Sequence, residues 1–171
     1  MKIVINDCYG GFSLSYEAIA LYLATKSQKA YFYAELRGSS KNTFKKFPLN
    51  KLKEAESNYY YIYCTTEDQG DELNHFPTSI FNDRDIDRTD RDLISVVEFL
   101  GPKVASGRYA NLKITDITDG SMYRINTYDG AEEIEYRDNI GWEIANSKHQ
   151  NRSIHPSALH LIYDKLKKGN V

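Results

Sequence analysis

Cysteine is scarce in this chain of 171 residues: there are two, Cys8 and Cys64, each in or beside an apparent strand. Such a pair fits buried thiols better than a disulfide framework, and neither cysteine has metal-ligand spacing. Proline (four) and tryptophan (one) are also few, and no apolar run reaches the length needed to cross a bilayer. Met1-Lys2 leads straight into a strand rather than into the apolar core of a signal peptide, so a cytoplasmic protein without membrane contact is expected. Excess charge of one sign is missing too, with 22 Lys and Arg against 24 Asp and Glu for a formal net charge of -2. A broad electrostatic grip on DNA or RNA is therefore not expected. The four histidines, His75, His149, His155 and His160, show no His-x-x-x-His or carboxylate pairing, so neither a metal nor another cofactor is expected.

Tyrosine, by contrast, is abundant. Fourteen are present, several of them in the runs Tyr31-Phe32-Tyr33 and Tyr59-Tyr60-Tyr61-Ile62-Tyr63. Both runs read as strands, in which alternate side chains face opposite ways, so half of the rings can pack in a core while the others face a groove or partner.

The start of the chain carries the densest information. Ile3-Val4-Ile5 is a short apolar strand, Asn6 to Ser13 with Gly10-Gly11 forms a glycine loop, and Leu14, Ala18, Leu21 and Tyr22 follow at helical spacing with Ser13 or Ser15 as N-cap. Backbone amides of such a loop, with those of the helix N-terminus, can hold a phosphate. Gly10-Gly11-Phe12-Ser13 matches neither the dinucleotide fingerprint nor the P-loop, and a tight turn without a ligand has the same sequence signature.

With Ala30 to Leu36 as a second strand, the opening reads as a β-α-β unit with a right-handed crossover between parallel strands. Residues 37–57 read as an insertion, a loop with at most a short helix, and the acidic run 67–72 as solvated surface. Thr89 and Asp92 have capping-box spacing before a helix carrying Leu93, Val96, Val97 and Leu100, which Gly101-Pro102 stops or kinks. Beyond Gly107 the period becomes two, giving an antiparallel meander over about 109–118, 121–128 and 131–136 with turns at Asp119-Gly120 and Asp129-Gly130. His155-Pro156-Ser157 opens a last helix with Ala158, Leu159, Ile162 and Leu166 on its apolar stripe, closed by Gly169. The expected fold is α+β: a mixed sheet with an N-terminal β-α-β unit, a central helix, an antiparallel β-meander and a C-terminal helix. Residues 1–142 are expected to form a single ligand-binding domain and 143–171 a C-terminal helical extension.

Three chemistries are open to these residues. Cys8, before a glycine loop and a helix N-terminus, is the one attractive nucleophile, but no histidine partner can be assigned to it and inert burial is the commoner fate. Arg88 and Arg91 lie in an alternation of acids and arginines, either a solvated loop favouring the helix end by about 0.3–1 kcal/mol per acid or a phosphate grip by guanidinium forks. Arg108-Tyr109 places a further arginine beside an aromatic ring, a pairing that fits a nucleotide.

Taken together, Lys2 to Ser15 with its Cys-Tyr-Gly-Gly-Phe block, Arg88 to Leu100, Ala105 to Ile114 and Tyr128 to Gly130 resemble motifs of the first Thoeris anti-defence family. Those phage proteins sequester the cyclic ADP-ribose signal made by bacterial TIR enzymes. The resemblance implies a non-catalytic sponge for a small cyclic nucleotide in the cytoplasm of an infected cell, assembled as a dimer or larger homo-oligomer. It implies that cyclic di- or trinucleotides of CBASS defence are further ligands. It places the ligand's ring and phosphates on Phe81 and Arg108, with Arg88 or Arg91 between them. The chain departs from the pattern at Arg91, where proline is expected, at the insertion 37–57 and in the tail after Trp142. The combined reading names Gly10, Gly11, Phe12, Ser13, Phe81, Arg88, Arg91, Arg108 and Tyr109 as ligand-binding residues and no catalytic residue. Its rivals are a nucleotide-processing enzyme using Cys8 and a protein-protein inhibitor of a host factor.

Overall fold

A computed structural model of the chain describes residues 1–36, 43–136, 143–145 and 155–168. The elements in order are β1 (Lys2–Asn6), α1 (Tyr16–Thr25), β2 (Tyr31–Leu36), β3 (Phe44–Phe47), α2 (Leu52–Asn58), β4 (Tyr59–Thr65), β5 (Glu72–Leu73), α3 (Arg91–Leu100), α4 (Pro102–Ala105), β6 (Leu112–Asp116), β7 (Met122–Tyr128), β8 (Ala131–Tyr136), β9 (Glu143–Ile144) and α5 (Pro156–Lys167). They fall into two compact units: Met1–Ala18 with Asp83–Leu159, and Ile19–Asn82 with His160–Val171. The first is called unit 1 and the second unit 2. No helix among the described residues is long and apolar enough to cross a membrane.

In unit 1, β1 pairs antiparallel with β6, placing Val4 opposite Ile114. Ile3 and Ile5 point into a core with Ile117, Tyr123 and Ala145, to which Met1, Ile125 and Ile134 add partly buried surface. Val4, on the other face of β1, is equally buried, and α3 packs against this strand. A strand covered on both faces reads as a continuous apolar run, as Ile3-Val4-Ile5 does. β7 and β8 form a hairpin whose Asp129-Gly130 turn has positive φ at both residues, 48° and 88°, the geometry of a type I′ turn. β9 lies on the other edge of β7.

Unit 2 is built on the sheet β4-β2-β3-β5, every pairing of which is antiparallel. Its core joins Tyr33, Phe44 and Leu73 to Tyr31 and Tyr63. The rings of Phe44, Tyr63 and Phe76 meet edge to face at centroid distances of 5.0–5.8 Å, the arrangement that aromatic quadrupoles favour. Tyr33 is fully buried, and its hydroxyl accepts from the Gln69 amide (2.8 Å) and donates to the Gly70 carbonyl (3.1 Å). Burial pushes this phenol above its ordinary range.

The α+β class stands, with small antiparallel sheets. The expected mixed sheet does not: β1 and β2 lie in different sheets, and all pairings among the described residues are antiparallel. A β-helix-β order forces a parallel crossover only when both strands share a sheet, and here β1 takes β6 as partner while β2 takes β3 and β4. The meander is corrected for the same reason. Since β6 belongs to β1, Asp119-Gly120 is a turn (Ser121 amide to Thr118 carbonyl, 3.1 Å) but not a hairpin between β6 and β7. The insertion holds a strand, β3, masked in sequence by Lys45-Lys46 although Phe44 is fully buried. The N-cap of α3 is Asp90, whose carboxylate accepts from the amides of Asp92 and Leu93 at 2.7 and 3.1 Å, and not Thr89, whose hydroxyl turns to Asp87. Of the two expected caps of α1, Ser13 and Ser15, it is Ser15 that accepts from the Ala18 amide. The expected boundary at 142, Trp142 itself and the stop at Gly169 lie outside the described residues.

Candidate functional site

The glycine loop begins where β1 ends, and Asn6 is its anchor. This fully buried amide donates to the carbonyls of Cys8 (2.6 Å) and Gly130 (2.7 Å) and accepts from the Asn111 amide (2.8 Å), so one side chain ties the loop to the β7–β8 turn and to the segment before β6. A buried polar residue is tolerated when its hydrogen bonds are met, and these are.

Glycines then let the three segments touch backbone to backbone. A Cβ on Gly10 would overlap the Tyr109 carbonyl, one on Gly107 would strike Ser13, and one on Gly130 would lie 2.6 Å from the Gly11 nitrogen. Gly10 thus serves close approach of chain to chain, and Gly11, with φ +81° and room for a Cβ, supplies a left-handed backbone; neither needs a ligand.

Beneath the loop, Phe12 is 3% exposed, and the Arg88 guanidinium lies over its ring with 3.5 Å from Cζ to centroid. Arg88 donates from Nε and Nη2 to Glu132 (3.2 and 3.0 Å) and from Nη1 to the carbonyls of Ile86 (2.6 Å) and Arg84 (3.2 Å). Glu132, itself buried, also accepts from the Asn6 amide at 2.9 Å. Ring and guanidinium occupy each other here, in a buried ion pair that knits β8 to the end of β1.

The entry to α1 is occupied by the protein itself. The Leu14 amide donates to the Asp83 carboxylate (2.7 Å) and the Ser15 amide to the Ala105 carbonyl (2.8 Å). Burial raises the Asp83 carboxyl above the ordinary carboxylate range, opposed by the Leu14 amide and the charges of Arg84 and Arg88. A carboxyl with a raised value in the folded state adds stability when protonated: the gain is complete below the ordinary value of 3.8 and is lost as pH rises through the raised one. Asp83→Asn keeps an acceptor for Leu14 without the buried charge. It is therefore expected to match or exceed the parent's stability at pH 7, and the parent is expected to gain on the variant as pH falls. Urea unfolding at pH 7 and pH 4 checks this; a variant weaker than the parent at pH 7, or a difference that does not move in the parent's favour at pH 4, contradicts it.

The outer surface of the junction is different in character. Tyr9, Tyr109 and Tyr128 are 70%, 67% and 77% exposed, and Arg108 stands over the Tyr109 ring at 5.3 Å. Their backbones converge, because Tyr109 abuts Gly10 and Gly130 abuts the Tyr9 carbonyl. Exposed rings carried on neighbouring backbone segments mark an interaction surface more often than scattered ones do.

Of the residues singled out by sequence, Gly10, Gly11, Phe12, Ser13, Arg88, Arg108 and Tyr109 meet at this junction, Phe12 and Arg88 inside it and Arg108 and Tyr109 outside. Arg91 is the half-buried first residue of α3. Phe81 belongs to unit 2, where its amide donates to the Cys64 carbonyl (2.9 Å) and its ring lies 6.0 Å from that of Tyr22. Cys8 Sγ lies 3.2 Å from the Tyr109 carbonyl and 3.4 Å from Asn6 Oδ1, two acceptors for its single S–H donor. Among the described residues no group of three His, Cys, Asp or Glu side chains could hold a metal ion.

Sequence reasoning missed Asn6, Tyr9, Asp83, Tyr128 and Glu132. The signal for Glu132 was there, since period-two alternation puts it on the face of Ile134, and Tyr128 is the last strand residue before the Asp129-Gly130 turn. In comparison with known proteins, no family model, no curated protein and no solved structure matches the chain.

Proposed function

We propose that this chain is a non-catalytic binding protein that captures a small cyclic nucleotide on the outer face of the glycine junction, in keeping with the resemblance to phage sponges of the cyclic ADP-ribose signal. The observation that carries the reading is the set of three exposed tyrosines and Arg108 held on interlocked backbone. Ring faces are there for a base and a guanidinium for phosphate oxygens, on backbone segments already in contact with one another. In this reading Phe12 and Arg88 support the site from below.

Sequestration requires a dissociation constant on the order of nanomolar, about -12 kcal/mol, and an open surface leaves one side of a ligand in water. A second copy of the chain closing over the first fits that demand, so a homo-oligomer acting in the cytoplasm of an infected cell is part of the proposal.

Arg108→Ala and Tyr109→Ala are each expected to weaken binding of cyclic ADP-ribose isomers at least tenfold, about 1.4 kcal/mol, with melting temperature unchanged because both side chains are exposed. Isothermal titration calorimetry measures the loss, and denaturing the loaded protein should release the nucleotide intact. A cleaved product would favour an enzyme; unchanged affinity in both variants removes the site. Tyrosine and arginine also dominate protein interfaces, so a surface that ignores every nucleotide but retains a host protein would mark an inhibitor instead.

A further inference from the structure

Unit 2 contains a cleft of about 500 Å³, within the range of small-molecule pockets. Its walls include Ala20 and Ala24 of α1, Tyr31 of β2, Phe47 of β3 and Leu166 of α5. The alanines leave the room, and the rings give a flat apolar lining. Its lining also holds an ion cluster: Lys46 Nζ donates to both Asp68 oxygens (2.9 and 3.1 Å) and pairs with Asp71 (3.1 Å). The contact holds Lys46 above and Asp68 below their ordinary ranges. Lys29 is the fourth charged residue of the lining, so the formal charges of the cleft cancel.

This arrangement selects against phosphate. A phosphoryl group would have to take Lys46 from two carboxylates and then remain beside them, a like-charge contact. A hydrogen-bond donor fares better. The exposed Asp71 carboxylate contacts Lys46 through Oδ1, which leaves Oδ2 for a ligand N–H, and the Gln28 amide in the lining offers a donor and an acceptor.

We propose that the cleft of unit 2 binds an uncharged heteroaromatic molecule with an amino edge, of nucleoside type, stacking on the Tyr31 and Phe47 side and donating to Asp71. The site shares no residue with the junction and stands or falls separately from it.

Titration of the full chain with adenosine and with AMP, followed by calorimetry, tests the proposal. Adenosine is expected to saturate, and AMP to bind at least tenfold more weakly. Ala24→Phe, which fills the cleft from a half-buried helical position, is expected to lose adenosine binding at least tenfold with an unchanged melting temperature. Should that variant fail to fold, Asp71→Ala carries the test from an exposed position. It is expected to weaken adenosine severalfold and, by leaving the cleft net positive, to strengthen AMP. No saturation by adenosine up to millimolar concentration, AMP binding as tightly as adenosine, or a folded variant that keeps the parent's affinities would overturn the proposal. Cyclic ADP-ribose binding measured on the Arg108 and Tyr109 variants reports on the junction alone, so either site can fail without the other.

Discussion

Replacing Glu132 by alanine is expected to destabilise the protein by about 3–5 kcal/mol, the range found when one partner of a buried ion pair is removed. Glu132 and Arg88 have side chains only 8% and 13% exposed. Without the carboxylate, the guanidinium keeps its contacts with the Ile86 and Arg84 carbonyls and with the Phe12 ring but loses the carboxylate hydrogen-bonded to it, with Asp83 acting on it only through space, and the buried Asn6 backbone amide loses its acceptor. Both defects sit under the glycine loop. The charge matters more than the hydrogen bond: an unpaired buried amide costs about 1–3 kcal/mol, so Arg88→Met combined with Glu132→Gln, which removes both charges and keeps an acceptor for Asn6, is expected to recover most of the loss. Urea unfolding followed by circular dichroism gives the three stabilities. If Glu132→Ala costs under about 1 kcal/mol, or if the double variant is as weak as the single one, the ion pair is not what holds the junction.

Gly10→Ala is expected to cost about 3 kcal/mol, the upper end for overpacking, because the new methyl group meets the Tyr109 carbonyl and backbone cannot swing aside as a side chain does. Gly120→Ala separates this cause from ordinary glycine strain. At Gly120 φ is +85° and nothing stands within 4 Å of an added Cβ, so only the left-handed backbone is penalised, by about 1 kcal/mol. The Gly10 variant should also bind the proposed ligand more weakly, since relieving the collision moves Tyr109. Equal losses at the two glycines would mean that close approach is not the reason for glycine at position 10.

Much of the local structure was legible from sequence because it depends on neighbours in the chain. α1, α3 and α5 follow from apolar spacing, and the Asp129-Gly130 turn from the few residues that adopt positive φ at two successive positions. Partner choice was not legible. Ile3-Val4-Ile5 and Leu112 to Ile114 are equally apolar whether they pair with each other or with a nearer strand, and Lys45-Lys46 hid β3 because Lys45 faces water while Lys46, on the face of Phe44, has its charge met by Asp68 and Asp71 from a distant turn. The glycine loop was found by its composition, but its two uses stayed open, because a glycine required by passing backbone and one required by a phosphate look the same in one dimension. Arg88 posed the same difficulty: its fork matches a carboxylate as well as a phosphate, and the carboxylate it meets, that of Glu132, is 44 positions away in the chain.

Unit 1 is assembled from the first eighteen residues and a segment that starts at Asp83. The Asn6 amide and the Glu132 side chain that receives it are 126 positions apart. On a ribosome, β1 therefore emerges long before β6 or β8 exists, and an apolar strand with both faces destined for burial must wait without a partner while all of residues 19–82 are made. Contacts so remote along the chain slow folding, and unit 2, whose strands are neighbours in sequence, can form its sheet first. Pulse-labelled hydrogen exchange during refolding would then protect β2 and β4 before β1, and the junction's tyrosines would be the last part of the molecule to take their places.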